Sequence, residues 1–599
     1  MCIVFCQASP SIGDTSCSIK TTFQTQESIF FEHYPELVVR FPGLNQNTHH
    51  ARLGLTHFSD SAQSNFRDAM SRFSRVLHGC DNKALPIDEA DNIAIMANLF
   101  QYYAGVNGIH YGYIDSWIGH SPYIINQMTG PLISLPDQLI NQYQIRNQQE
   151  ASDYLTKLHN LGLSLNEIEQ KYLADLKKAV IIPKPVRERS LTQIRTFMNS
   201  SVAQHPLLLS YNRKMESSQI NPGVREILNE QALNIVSSEI YPLYTRIVAH
   251  LQKIHPESKH GPGLWAQPQG SKFYQGLIRF HGDTDLSANE IHEIGLADTH
   301  RIIESLHTEL ASIQLTEGAV SERLRSMHES SNYLFDDSDT GRAKMLGTIR
   351  EVVSDIQTKL PLWFEDLEGV EGVNKTPITI AKVPKYREDS ASSAYYTEPT
   401  NTERGTFWVN QGNLQALPSF LIKTLSYHEA IPGHHLQALA GLKRVTLPRL
   451  RRIAPYNAYD EGWALYAERL AYEMGSYEND PLGNIGRLEE EILRSIRLVV
   501  DTGIHAKRWS RNQAIEYMYA YSGKSLAEVE LEIDRYIAMP GQALGYTLGM
   551  MKIMELRKKS QKSLGDRFSI GRFHTAILQG GRVPMKQLER QVVRLNFEP

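Results

Sequence analysis

The stretch Tyr427–Gln437, YHEAIPGHHLQ, decides how the rest of the chain is interpreted. Zinc proteases carry H-E-x-x-H on one helix, which places two histidines on one face with a glutamate beside them as general base. Here Pro432 and Gly433 interrupt that pattern, and without them the letters are H-E-A-I-H. The sequence therefore predicts a metal-binding helix that is interrupted by a two-residue insertion.

Helix geometry shows why the interruption matters. His428 and His434 are six residues apart, which on an unbroken helix is about 240° of rotation and about 9 Å of rise. Two imidazoles placed in that way do not both reach one zinc ion at about 2.0–2.1 Å. Because proline breaks a helix and glycine adopts almost any conformation, the insertion can return His434 to the face of His428. His435 is the alternative second ligand, about 10 Å along an unbroken axis from His428.

A third ligand is expected downstream, in DEGWALYAE at residues 460–468. Glu461 and Glu468 are seven residues apart and therefore lie on nearly the same helix face. Glu461 is the expected ligand, and Glu468 is expected to orient one of the histidines from behind. Taken alone, Glu461 would be an ordinary acid at a helix N-terminus, and it is the preceding motif that favours a ligand.

The expected chemistry is hydrolysis assisted by one Zn²⁺ per chain. Two histidines and one glutamate, here His428, His434 and Glu461, leave one zinc position open for water. Zinc lowers the pKa of water toward about 7, and Glu429 would take the proton from the attacking water and deliver it to the leaving amine. The sequence thus predicts a hydrolase with Glu429 as its general base.

The stretches HEAIPGHHLQ at 428–437 and EGWALYAE at 461–468 resemble the bacterial domain-of-unknown-function family 885 (DUF885). That family is regarded as zinc-peptidase-like, in the gluzincin group whose third ligand is a glutamate. The resemblance continues through 500–509, 535–543, 573–574 and 580–584, and it covers most of the chain from about residue 30. It implies an oligopeptidase-like cleft and peptide substrates, with short peptides favoured over folded proteins.

Further candidate residues follow in the C-terminal part of the chain. Asp501 and His505 are four residues apart on one helix face, so Asp501 can orient His505 as a donor to the oxyanion. A histidine satisfied in the core is the equally weighted alternative. The resemblance to gluzincins implies Tyr546 as another donor. Arg535 and Arg557 are candidates to bind a substrate carboxylate through two hydrogen bonds.

The hydrophobic pattern predicts a mainly α fold, a large helical protein with a small β-sheet beside a zincin-type active-site helix. After Leu360 the period changes from 3.6 to 2, and strands are expected at 378–383, 393–397 and 406–410. An edge strand can pair with an extended peptide, which makes Trp408 and Asn410 candidate substrate contacts. The alternative is a sheet that only supports the metal helix.

The chain is expected to have two main parts. Residues 1–20 form a flexible N-terminus, 21–260 a helical region that covers the cleft, and 261–599 the catalytic region. The break is Gly261-Pro262-Gly263. Within the catalytic region, Ser287 and Glu290 have the spacing of a capping box and predict the start of a helix.

Composition excludes two classes of partner. The 599 residues are 41% hydrophobic and 21% charged with a net charge of −4, which gives no electrostatic case for nucleic-acid binding. No run of about 20 apolar residues occurs, so no membrane span is expected. The oligomeric state is not defined by the sequence.

The N-terminal MCIVFCQAS at 1–9 is similar to the end of a signal peptide and predicts a periplasmic or secreted protein. Cys6 is a possible lipid anchor, although Phe5 is bulky for that position. Cleavage after Ala8 would instead remove Cys2 and Cys6 and leave Cys17 and Cys80, an even pair able to make a disulfide in an oxidising compartment. The alternative is a cytoplasmic protein with four free thiols.

The sequence as a whole predicts a zinc metallopeptidase. Two alternatives remain open at this stage. One is a zinc hydrolase of non-peptide amides or esters that uses the same residues. The other is a non-catalytic scaffold in which the Pro432-Gly433 insertion has destroyed the metal site.

Overall fold

The computed structural model describes residues 19–40, 53–80, 85–199, 201–253, 261–365, 376–385, 388, 392–399, 404–442 and 447–597. It is 71% helix and 3% strand, which confirms the predicted large helical fold with a small sheet. Residues 1–9 and Cys17 lie outside the described residues. Cys80 is disulfide-bonded. Among the described residues, no helix is both long and apolar enough to cross a bilayer.

Helices make up most of the described chain. Before residue 260 they span Ile19–His33, Pro35–Arg40, Asp60–His78, Ile87–Ala104, Pro131–Gln142, Gln148–Lys177, Lys184–Met198, Pro206–Glu216, Pro222–Ile235 and Tyr241–Gln252. After it they span Gly270–His281, Ala288–Ser312, Val320–Glu329, Asp339–Lys359, Ile422–Glu429, His434–Leu442, Arg449–Arg452, Asn457–Glu473, Pro481–His505, Arg511–Tyr521, Leu526–Ala538, Gly545–Leu564, Ile570–Leu578 and Met585–Phe597.

In the part of the chain that the structure describes, five short strands form two sheets. The first is a hairpin in which Tyr113–Asp115 pairs antiparallel with Gly119–Ser121. In the second sheet the central strand Thr406–Val409 pairs in parallel with Thr379–Lys382 and antiparallel with Ala394–Thr397. These three strands lie within the segments predicted from the period-2 pattern. Phe407 and Val409 on the central strand are buried, so one face of this sheet packs on the core.

The helix Pro481–His505 lies at the centre of the C-terminal part and is buried along most of its length. It packs closely against Ala288–Ser312. At the crossing, a Cβ atom on Gly295 would lie 2.8 Å from side-chain atoms of Leu498 and Val499. The predicted capping box at the start of Ala288–Ser312 is present, since Ser287 and Glu290 hydrogen-bond to each other's backbone N–H groups.

A second pair of helices makes an even closer contact. Asn457–Glu473 packs on Gly545–Leu564. A Cβ atom on Gly462 would lie 2.5 Å from the Cα of Gly549, and one on Gly549 would lie 1.9 Å from the carbonyl oxygen of Ala458. Because neither helix has a side chain at this point, the two backbones touch. Glu461 adjoins one glycine, and Tyr546 lies one turn before the other, so the contact brings these two residues together.

Candidate metal centre

The insertion ends one helix and starts another. The first, Ile422–Glu429, ends at the candidate base, and the second, His434–Leu442, begins at the second candidate ligand. A Cβ atom on Gly433 would lie 1.9 Å from the carbonyl oxygen of His428, so residue 433 must be glycine for the chain to fold back this closely. The indole N–H of Trp463 donates to the carbonyl oxygen of Pro432 over 3.0 Å and holds the turn.

The turn brings the two histidines together. The ring centroids of His428 and His434 are 4.9 Å apart, with the rings perpendicular. Glu461 completes the group, and one ligand atom from each of the three residues lies within 4.8 Å of the others. Oε2 of Glu461 is 3.5 Å from Nε2 of His428 and 3.6 Å from Nε2 of His434. We call these three residues the triad.

The other ring nitrogens of the triad histidines are held by neighbouring side chains. Nδ1–H of His428 donates to Oε1 of Glu468 over 2.7 Å, and Nδ1–H of His434 donates to the amide oxygen of Gln437 over 3.2 Å. Each histidine is therefore oriented so that Nε2 points toward Glu461. Glu468 is 2% exposed, so this contact is buried.

His435, the alternative ligand, faces away from the triad. Its Nδ1 accepts from the hydroxyl of Tyr396 over 2.9 Å, and its Nε2–H donates to the carbonyl oxygen of Thr376 over 3.2 Å. Burial lowers the pKa of His435 to about 4, so the ring is neutral. With both nitrogens engaged, His435 joins the second helix to the sheet and has no free atom for a metal.

The surroundings of the triad favour positive charge. Burial lowers the pKa of His428, but the carboxylates of Glu461, Glu468 and Glu429 beside the ring outweigh it and raise that pKa to about 9. The pKa of His434 is likewise raised against burial, chiefly by Glu461. Burial alone would raise the pKa of Glu461, yet the two histidines hold it well below its usual range. The same carboxylates that favour a proton here favour a metal cation.

Two further predicted residues lie beside the triad. Glu429 ends the helix that carries His428, and its charge raises the pKa of both His428 and His434. Burial and then the charge of Glu461 raise the pKa of Tyr546. The guanidinium carbon of Arg497 lies 4.6 Å from the centre of the Tyr546 ring. Among the described residues, the Tyr546 hydroxyl makes no hydrogen bond.

A cavity of about 270 Å³ opens beside the triad and is lined by His434 and Glu461. Its remaining walls come from both halves of the chain. They are formed by Leu37, Ser116, Trp117, Ile118, His281, Tyr396, Glu398, Gln437, Ile453, Ala454, Pro455, Asn457, Asp460, Gln542 and Arg582.

One wall of the cavity is a charged network around Arg582. Its Nε–H donates to Asp460 over 2.9 Å, its Nη1 donates to the carbonyl oxygen of Arg452 over 3.0 Å, and its Nη2 donates to Glu398. Burial raises the pKa of Asp460 to about 6 although the Arg582 charge opposes it. The network fixes the residue next to Glu461 and so supports the third triad member.

The structure corrects the predicted partnership of Asp501 and His505. Nδ1 of His505 accepts from the backbone N–H of Leu264 over 3.1 Å, and its Nε2–H donates to the carbonyl oxygen of Tyr536 over 3.1 Å. Asp501 accepts instead from the Tyr274 hydroxyl over 2.6 Å and from a backbone N–H. His505 is 1% exposed. Both residues join core elements, and His505 is not available as an oxyanion donor.

The predicted substrate contacts on the sheet also lie outside the walls of the cavity. The indole N–H of Trp408 donates to Oγ1 of Thr397 over 3.0 Å. The amide of Asn410 donates to the carbonyl oxygen of Glu388 over 2.7 Å. Both side chains therefore stabilise the sheet and its turn, as in the alternative interpretation.

The two predicted arginines are occupied as well. Arg557 donates to Glu473 over 2.7 Å and to the Tyr466 hydroxyl over 3.1 Å. Arg535 donates to Glu532 over 3.2 Å and to the amide oxygen of Gln542 over 2.6 Å. Neither lines the cavity, although Arg535 holds Gln542, which does.

Apart from His434 and Glu461, the residues that form the cavity walls were not predicted from the sequence. Arg582 stands in the stretch 580–584 and Asp460 directly precedes Glu461, so both were inside motifs already singled out. Trp117 and Glu398 are far from those motifs, and no local pattern marks them. Only the fold brings these four residues to one cavity.

Comparisons with known proteins agree with this fold. The family model described as "Bacterial protein of unknown function (DUF885)" matches residues 43–592. The crystal structure of a "putative lipoprotein from Colwellia psychrerythraea" is 35% identical, with 98% of this chain and 100% of that chain covered and a TM-score of 0.93. A "putative lipoprotein of unknown function from Shewanella oneidensis" is 16% identical, with 96% of this chain and 100% of that chain covered and a TM-score of 0.72, a likeness of fold alone. No curated protein matches the chain. The match over most of its length shows that the chain belongs to the DUF885 family.

Proposed function

We propose that this protein is a zinc-dependent hydrolase that cleaves peptide bonds of short peptides. The observation that carries the proposal is that one buried carboxylate oxygen of Glu461 lacks a hydrogen-bond partner among the described residues. Its Oε2 atom is buried and has no hydrogen-bond partner among the described residues, although two imidazole nitrogens lie 3.5 and 3.6 Å away. A buried carboxylate oxygen without a partner is costly, and a metal ion would satisfy it.

The spacing of the triad fits a tetrahedral ion. Ligands at about 2.0–2.1 Å from one zinc, at tetrahedral angles, are about 3.4 Å from each other. That separation is close to the distances from Oε2 of Glu461 to the two histidines. Two nitrogens and one carboxylate oxygen are a ligand set typical of catalytic zinc. The contact between His428 and Glu468 is the usual support for such a histidine.

The residues around the triad supply the rest of the proposed chemistry. A bound zinc ion would supply a Lewis acid that polarises the substrate carbonyl and lowers the pKa of water. Glu429 would remove the proton from the attacking water and transfer it to the leaving amine. Tyr546 would donate its hydroxyl proton in a hydrogen bond to the oxygen of the carbonyl as negative charge develops there.

The volume of the cavity favours short substrates. A volume of about 270 Å³ accommodates a few residues of an extended peptide and excludes a folded domain. Leu37 and Trp117, from the N-terminal part of the chain, line the same cavity as Glu461. The N-terminal region therefore restricts access to the triad, which favours oligopeptides.

We propose an exported location for the protein, with lipid anchoring as one form of it. The support is the disulfide-bonded Cys80, since disulfides persist mainly in oxidising compartments, and the description of the Colwellia relative as a lipoprotein. Fractionation of the native host followed by immunoblotting tests this location, and recovery only in the cytoplasm would contradict it.

Metal analysis is the first test of the function. Purified protein should hold one zinc per chain after dialysis, and His434→Ala should lose it. His435→Ala is the matched control, because that ring faces Tyr396 and Thr376, and it should keep the zinc. Loss of zinc only in His435→Ala would assign the second ligand to His435. Absence of zinc from the wild type and from both variants would contradict the proposal.

Turnover is the second test. Glu429→Gln should keep the zinc and lose hydrolysis of short peptides by about 10²–10⁴-fold, the usual contribution of a general base. Glu555→Gln, a surface change on the helix Gly545–Leu564, should keep both the zinc and the hydrolysis of short peptides. A Glu429→Gln protein with normal activity would remove the assigned base.

A further inference from the structure

The cavity beside the triad has an apolar side that the proposed chemistry does not use. Its apolar wall consists of Leu37, Trp117, Ile118, Ile453, Ala454 and Pro455. The charged network of Arg582, Asp460 and Glu398 forms another wall, and His434 and Glu461 mark where the reaction would take place. A substrate in the cavity therefore meets both a charged wall and an apolar one.

Trp117 is the unusual member of the apolar wall. It is 55% exposed, whereas Ile118 beside it is 4% exposed. A half-exposed indole on the wall of a cavity offers apolar surface to a ligand, and ligand pockets are commonly lined by aromatic side chains.

The hairpin Tyr113–Ser121 holds the backbone of Trp117 in place. Oδ1 of Asp115 accepts from the N–H of Trp117 over 2.8 Å and from the N–H of Ile118 over 2.9 Å. The Tyr102 hydroxyl donates to the carbonyl oxygen of Trp117 over 3.0 Å. Gly119 closes the turn at φ +65°, where a Cβ atom would lie 2.7 Å from the Tyr102 ring. The indole is thus presented from a fixed backbone, as in a preorganised binding site.

We propose that Trp117 forms a specificity subsite for an apolar, preferably aromatic, side chain next to the bond that is cleaved. This inference rests on the proposed function, since it assumes that the substrate reaches the triad through this cavity. Stacking on the indole would remove apolar surface of both partners from water. Trp117 would therefore select among short peptides without taking part in the chemical step.

The kinetic test compares two peptides of equal length that carry phenylalanine or glycine beside the cleaved bond. Wild-type protein should favour the phenylalanine peptide in kcat/KM. In Trp117→Ala the ratio between the two peptides should fall by about tenfold, mainly through KM, as expected for the loss of an apolar contact. In Trp117→Phe, the ratio between the two peptides should return to most of the wild-type value. An equal loss for both peptides in Trp117→Ala would indicate a purely structural role and overturn the inference.

Binding without turnover separates this inference from the proposed function. In Glu429→Gln protein, the phenylalanine peptide should change the indole fluorescence, and the change should disappear with Trp117→Phe added. Trp408→Phe is the matched control, since Trp408 lies on the sheet outside the cavity walls. Loss of the signal with Trp408→Phe instead would overturn the subsite. Peptide binding at Trp117 without any hydrolysis by wild type would support the subsite and contradict the hydrolase.

Discussion

Oε1 of Glu468 lies 2.7 Å from Nδ1 of His428, in a contact that is almost completely buried. In the neutral ring, the carboxylate holds the proton on Nδ1 and leaves the lone pair of Nε2 directed toward Glu461, where it could bind a metal ion. In the wider surroundings, Nη2 of Arg494 is 3.8 Å from the same carboxylate oxygen. Glu468 therefore determines both the orientation and the tautomer of the first triad histidine.

Replacement of Glu468 by glutamine should weaken zinc binding by about 10–100-fold, the usual cost of losing a partner behind a metal-binding histidine. The measurement is competition for zinc with a chelating dye. Glu473→Gln on the same helix is the control, since Glu473 pairs with Arg557 rather than with the triad. Equal affinities for wild type and Glu468→Gln would mean that the contact does not orient His428.

Gly433→Ala should abolish stoichiometric zinc binding. A methyl group there would lie 1.9 Å from the His428 carbonyl oxygen and 2.4 Å from that of Tyr427, so the turn must open and separate His428 from His434. Gly347→Ala is the matched control, because nothing lies within 4 Å of its Cβ position and alanine favours a helix. Metal content and circular dichroism of both variants test this. A Gly433→Ala protein that binds one zinc would contradict the role of the turn.

Tyr546→Phe should lower kcat for short peptides by about 10²–10³-fold and leave zinc content unchanged, since one hydrogen bond to the developing oxyanion is lost. KM should change little because the ring and its contact with Arg497 remain. Tyr472→Phe, on a half-exposed tyrosine, serves as the control for loss of a phenol hydroxyl. A large rise in KM with normal kcat would assign Tyr546 to substrate binding instead.

His505 should make the protein less stable in acid. Burial lowers its pKa to about 4 in the folded state, against 6.5 for an ordinary histidine. The unfolded chain therefore takes up the proton first, and stability that is complete above about pH 6.5 falls as the pH approaches 4. The difference between the two pKa values corresponds to about 3 kcal/mol of unfolding free energy at most.

Urea unfolding at several pH values tests this expectation. The fall in unfolding free energy between about pH 7 and pH 4.5 should be smaller in His505→Gln than in wild type. His110→Gln, on an exposed histidine, is the matched control for the loss of an imidazole. Identical slopes in wild type and His505→Gln would show that His505 does not contribute to the pH dependence.

The sequence was most informative where local pattern decides structure. The change to period 2 after Leu360 located the three strands, and the Pro432-Gly433 insertion located the break between the two helices. The spacing of Glu461 and Glu468 placed them on one helix face, where both now contact His428.

Tertiary contacts explain the predictions that were wrong. The spacing of Asp501 and His505 indicates a shared helix face but does not reveal that Tyr274 and Leu264 approach from other elements to bind them. In the same way, Arg557 meets Glu473 on a neighbouring helix. Trp117 and Arg582 reach one cavity from opposite ends of the chain, which no local pattern can indicate.

The contact between Gly462 and Gly549 has a consequence for how the sequence can diverge. The separation of Glu461 and Tyr546 is determined where two backbones touch, and no side chain intervenes whose size could vary. Substitutions elsewhere along the two helices can therefore accumulate without altering that separation. A single methyl group added at either glycine would push the helices apart, so the pair is a point where this fold has almost no freedom to change.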